Sequence, residues 1–103
     1  MNITELPVKV DAGKVQTFCR HRQIRRLSLF GSVLREDFDP ARSDVDVLVE
    51  FSPGHEPGWE FFRYGEDLSR LLGIRADCHT PAMISPLFRD EVMRESMVLY
   101  EQA

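Results

Sequence analysis

A chain of 103 residues, 43% hydrophobic and 29% charged, has material for one compact domain with one core and not for two. Its net charge of −4 disfavours direct nucleic-acid binding, which normally uses a basic surface, and no apolar run reaches the length of a membrane span. The opening MNITELPVKVDAGK lacks the apolar segment of a secretory signal, and Cys19 and Cys78 are too few for a disulfide scaffold, so a cytoplasmic location is expected.

The whole chain, 1–103, reads as a single domain in which residues 1–8, with Pro7 and no clear period, form a loose lead-in. From Asp11 to Arg22 the apolar Val15, Phe18 and Cys19 fall at helical spacing, with Asp11 as N-cap. Ile24 to Phe30 alternates imperfectly and reads as a half-buried strand beginning near Arg26, ended by Gly31. Ser32 to Asp37 is expected to form one or two helical turns before Asp39-Pro40 forces a loop. Val45 to Phe51 is the most β-prone run and is expected to be a central strand buried on both faces.

Ser52 to Gly58 is a loop with two prolines and two glycines. Trp59 to Leu72 follows as a helix with Trp59, Phe62, Leu68, Leu71 and Leu72 near one face, read as core, and Gly73 as its C-terminal cap. Ile74 to His79 reads as a third strand carrying Asp77, and Pro81 breaks it. Ser85-Pro86 is expected to open a helix through Arg94, with Leu87, Val92 and Met93 inward. Met97 to Tyr100 is a last apolar patch, either a strand or a helical turn. The fold class is therefore α/β (α+β), a mixed sheet flanked by helices.

The chemistry gathers between Leu27 and Phe51. Asp44 and Asp46 are two apart at the start of the second strand, so in extended chain their carboxylates project from the same face. Two carboxylates so placed repel each other unless a cation lies between them, and magnesium held by carboxylates and substrate phosphates is the usual resolution. Gly31-Ser32 ends a strand and begins a short helix, which presents free backbone N–H groups to an anion. Metal-binding carboxylates and a phosphate-binding turn together point to nucleoside triphosphate chemistry. The two parts share an edge of the sheet only if the first two strands are antiparallel.

Gly31-Ser32, then Ser43-Asp44-Val45-Asp46, then Asp77 on a later strand resemble the DNA polymerase β-like nucleotidyltransferase superfamily, and within it the minimal nucleotidyltransferase (MNT) proteins. The likeness runs through LFGSVLREDF, SDVDVLVEF, LLGIRAD and SPLFRDEVMRESMVLY, which is most of the chain. It implies a magnesium-dependent transfer of AMP from ATP. Gly31 and Ser32 would hold the β- and γ-phosphates, while Asp44, Asp46 and Asp77 would coordinate two ions that clamp an in-line displacement at the α-phosphate. Arg35 would stabilise charge near the phosphates. Many relatives carry GSxARG, whereas Arg35 is followed here by Glu36, and eleven residues separate Ser32 from Asp44, one more than the commonest form. These departures bear on Arg35 rather than on the carboxylates.

Minimal relatives resemble the antitoxin half of HEPN/MNT toxin–antitoxin pairs. The resemblance implies a HEPN ribonuclease as partner, whose tyrosine hydroxyl receives AMP. Two alternatives stay open: neutralisation of the partner by contact alone, and a small-molecule nucleotidyltransferase of the aminoglycoside-modifying type, with a homo-oligomer building the pocket. Cys19-Arg20-His21 and Cys78-His79 lack paired zinc-ligand spacing and read as core or surface. The cluster Arg20, His21, Arg22, Arg25 and Arg26 reads either as a contact for an acidic partner or nucleotide, or as a solvated helix end.

Overall fold

The computed structural model describes residues 6 and 8–102. Of the expected loose lead-in, residues 1–5 and 7 lie outside the described residues, while Val8 is buried and Leu6 packs against the core. Helix α1 (Ala12–His21) starts where Asp11, itself extended, accepts a hydrogen bond from Lys14 N at 3.1 Å through Oδ1. Its buried residues are Val15, Phe18 and Cys19, the positions that helical spacing marks out.

Strand β1 (Ile24–Phe30) pairs antiparallel with β2 (Val45–Phe51), so that Leu29 faces Val47 and Phe30 faces Asp46. A register shift between Ile24 and Arg26 lets Ile24 and Leu27 both reach the core. After helix α2 (Glu60–Leu72), strand β3 (Ala76–His79) returns parallel to β2. Helix α3 (Arg89–Glu95) leads to β4 (Met97–Glu101), antiparallel to β1. The four strands lie in the order β3-β2-β1-β4, a mixed sheet as expected.

Period-two alternation sorts the sheet into two faces. Leu27, Leu29, Val45, Val47, Val49, Ala76 and Cys78 join α1 and α2 in one core cluster. The alternate positions Arg26, Glu50, Asp46, Asp77 and His79 point to the other side. There Arg26 binds Glu50 through two nitrogens, at 2.6 and 3.0 Å, and reaches Glu101 at 3.2 Å, which ties three strands together. Arg22 is likewise spent within the fold, paired with Asp67 at 3.1 Å and lying over the Phe18 ring. Of the basic cluster, Arg22, Arg25 and Arg26 are thus paired within the fold.

Several expectations need correction. The segment after Gly31 is a single 3-10 turn, Gly31–Leu34, and not a run to Asp37. The third strand begins at Ala76 rather than Ile74, where Ser69 Oγ on α2 accepts the Ala76 N–H at 2.8 Å. Trp59 and Phe62 are not core: they are 85% and 73% exposed and stack on each other at 5.9 Å. Phe62 precedes Leu68 by six residues, about 120° round the helix, so both cannot face inward. The inward aromatics are Phe61 and Tyr64, which meet Phe51 at 6.1 and 6.2 Å. The last helix starts at Arg89, which leaves Leu87 85% exposed in the preceding turn rather than inward. Gly73, with φ +71°, caps α2 in the left-handed conformation that favours glycine.

Candidate active site

Strand β1 runs out at Phe30, and Gly31, with φ +76°, swings the chain into the 3-10 turn while Val33 anchors that turn in the core. Arg35 N closes it with a hydrogen bond to Ser32 O at 2.9 Å. Because β1 and β2 are antiparallel, the turn lies directly against β2. A Cβ on Gly31 would stand 2.6 Å from Asp46 Oδ2, so a side chain there would force that carboxylate to shift.

Asp46 in turn is the register partner of Asp77 across the parallel pair β2/β3. His79, two residues further along β3, turns its ring to the same face, with Nε2 3.3 Å from Asp77 Oδ2 and 3.6 Å from Asp46 Oδ1. One ligand atom from each of the three lies within 4.8 Å of the others. Burial, first, pushes the Asp46 carboxyl above the ordinary carboxylate range; the charges of Asp77 and Asp44 add to the rise and the His79 ring offsets part of it.

The six residues singled out by sequence respond differently to the fold. Asp46, Asp77 and Gly31 converge. Asp44 stands just before β2, close enough to act on Asp46, with its carboxylate turned toward Arg75 Nη1 at 3.9 Å and outside the three-residue group. Ser32 is half-buried in the turn. Arg35 is exposed and lines a cleft of about 460 Å³ with Phe30, Gly31, Leu34, Phe88 and Glu91. Sequence reasoning weighed His79 only with Cys78 as a zinc pair and set it aside as core or surface, although Asp77-x-His79 has the same period-two spacing that singles out Asp44 and Asp46.

The donor set fits a divalent cation. His79 Nε2 is buried and has no hydrogen-bond partner among the described residues, while two carboxylates stand beside it. Such an orphaned donor or acceptor is costly without a partner, and a cation at this point would serve all three groups. Among the described residues no helix is long and apolar enough to cross a membrane.

Residues 13–99 match the model of a nucleotidyltransferase domain. A Methanocaldococcus jannaschii protein named "Putative protein adenylyltransferase MJ0435" is 32% identical over 97 residues, covering 94% of this chain and 97% of that one. A solved structure described as a "putative minimal nucleotidyltransferase" superposes with a TM-score of 0.62 at 32% identity, over 84% of this chain and 86% of its own. A chain of the tri-AMPylated Shewanella oneidensis HEPN toxin in complex with MNT antitoxin gives a TM-score of 0.61 over 88% of this chain and 70% of that one. At 17% identity this last likeness is one of fold.

Proposed function

The chain belongs to the nucleotidyltransferase domain family, and from that membership we propose that it transfers AMP from ATP to a hydroxyl of a HEPN ribonuclease toxin, a tyrosine's, and thereby acts as its antitoxin. The observation that carries the reading is the Gly31 turn seated on Asp46, with Asp77 in register beside it. The backbone amides of Gly31 and Ser32 receive the β- and γ-phosphates, since a turn that opens on a glycine lets phosphate approach the backbone. Asp46 and Asp77, with Asp44 turned in from Arg75, would hold magnesium, two ions when the triphosphate is bound. The cations supply charge neutralisation of the phosphates and of the leaving pyrophosphate.

The acceptor oxygen attacks the α-phosphorus, a new P–O bond forms, and the bond to pyrophosphate breaks. Asp77, 59% exposed against 32% for Asp46, is the carboxylate best placed to take the hydroxyl proton. Arg35, on the lip of the adjoining cleft, meets the triphosphate from outside. The relative named as a protein adenylyltransferase supports a protein acceptor, and the structure of the AMPylated HEPN toxin with its MNT antitoxin supports the partner. The exposed Trp59–Phe62 pair offers that partner an apolar contact. Two free, buried cysteines accord with a reducing cytoplasm.

The test is intact-mass spectrometry of the HEPN partner after incubation with this protein, ATP and magnesium. A gain of one or more AMP groups, lost in the Asp44→Ala/Asp46→Ala double variant, is expected. A stable, inhibitory complex with no mass gain would instead establish neutralisation by contact alone.

A further inference from the structure

The structure assigns a metal ligand that the carboxylate pattern does not contain: we propose that His79 Nε2 binds the divalent cation directly, beside Asp46 and Asp77. The inference rests on the nucleotidyl-transfer reading of this site and concerns which atoms hold its cation and which cation they prefer.

His79 reaches the site through register. Asp77 pairs with Asp46 and His79 with Leu48 along β3/β2, and the period of two puts Asp77 and His79 on one face. The ring is held at its edge by Phe30, with centroids 5.5 Å apart and planes at 69°. Phe30 precedes the phosphate-binding turn and is the register partner of Asp46, so one residue braces both the ring and the turn. The nitrogen that results is buried, lies 3.3 and 3.6 Å from two carboxylate oxygens, and forms an aligned hydrogen bond with neither among the described residues. An ordinary imidazole–carboxylate pair closes to about 2.8 Å on one partner. Ligand atoms sharing one ion at about 2.2 Å stand instead roughly 3 Å apart, close to the spacing seen here.

A nitrogen donor has a chemical consequence. Magnesium favours an all-oxygen shell, whereas imidazole suits manganese and later divalent ions. The site should therefore take Mn²⁺ more tightly than Mg²⁺, and the margin should shrink when the ring is removed.

The test uses tag-free protein and Mn²⁺ alone. Bound Mn²⁺ is counted by electron paramagnetic resonance, and its ligands are read by electron spin-echo envelope modulation. We expect a ¹⁴N modulation that changes to ¹⁵N when the three histidines carry ¹⁵N and vanishes in His79→Gln. Mn²⁺ affinity should fall about tenfold or more in that variant, with Mg²⁺ affinity little changed. His79→Asn, checked by circular dichroism, guards against a folding defect in His79→Gln. Mn²⁺ bound without nitrogen modulation, or modulation that survives in both variants, overturns the inference and leaves the carboxylate site standing. No Mn²⁺ bound with or without ATP overturns the inference and the cation-binding reading together.

Discussion

Gly31 lies in the turn after β1 and Asp46 on β2, yet a single methyl on Gly31 would stand 2.6 Å from the Asp46 carboxylate. The same residue holds φ at +76°, where a side chain is strained. Gly31→Ala should therefore leave the fold recognisable by far-UV circular dichroism and displace the turn from the carboxylate. A displacement of this order costs about 100-fold in transfer rate. Single-turnover AMP transfer to the partner measures it. A variant with unimpaired transfer would show that the turn does not position the triphosphate.

Asp46 sets stability against activity. Its carboxyl titrates above the ordinary range in the folded chain, chiefly because it is buried, so the folded state keeps the proton longer than the unfolded state does. That contribution favours the metal-free fold below the ordinary carboxylate pKa and is lost as pH rises through the raised value. Asp46→Asn, which cannot ionise, should raise the metal-free Tm at pH 7 by about 2–5 °C and make it less dependent on pH between 4 and 7. Its AMP transfer should fall by roughly 10³-fold, and added Mg²⁺ should no longer raise its Tm. Thermal melts with and without chelator read both effects.

Trp59 and Phe62 touch each other and otherwise face solvent. Trp59→Ser and Phe62→Ser should each change unfolding free energy by no more than about 0.5 kcal/mol, as surface substitutions do. A core aromatic would cost about 3–5 kcal/mol. Partner affinity, measured by isothermal titration, should drop in the same variants, while ATP binding measured without partner stays intact. A large loss of stability would mean that the pair is packed after all.

Cys19 and Cys78 are both buried, and desolvation pushes each thiol up to about 12 from 9.0. Three units leave about a thousandth of the usual thiolate fraction near neutral pH. The native protein should thus react with a disulfide reagent only as it unfolds, and both thiols should appear at the normal rate in urea. Cys78 is the sharper probe, because it lies between Asp77 and His79 and points to the opposite face of the sheet. Fast native labelling of Cys78 would mean that β3 opens locally.

The parts of this fold that were legible in sequence are those governed by neighbours along the chain. Asp11 caps α1 because its side chain reaches an amide three residues on. Gly73 ends α2 because it alone takes the left-handed conformation cheaply, and Val45 to Phe51 is a β-branched run that suits no other element well. The Gly-Ser turn was readable for the same reason, whereas the expected pairing of Asp44 with Asp46 was not met, because Asp44 lies just before β2 and turns to Arg75. The phase of α2 was not, because aromatic residues occur on both of its sides. Phe51, far off in sequence, selects Phe61 and Tyr64 and leaves Trp59 and Phe62 outside. His79 was hidden in another way: its neighbours in sequence say nothing of Asp46, and only the parallel register of β3 on β2 brings them together. Leu87 shows the third kind of limit, since a turn at Ser85 delays the helix to Arg89 and moves the apolar side chain off the buried side.

The parallel joint between β2 and β3 also governs when the protein becomes competent. The β1–β2 hairpin closes over a loop, whereas a parallel partner has to be brought back through a whole helix. A chain emerging from the ribosome can thus assemble the turn and Asp46 first and acquire Asp77 only when the later strand docks at the edge of the sheet. On the proposed site, a copy whose β3 has not docked lacks Asp77 and His79 beside Asp46, so completion of the fold is expected to precede transfer.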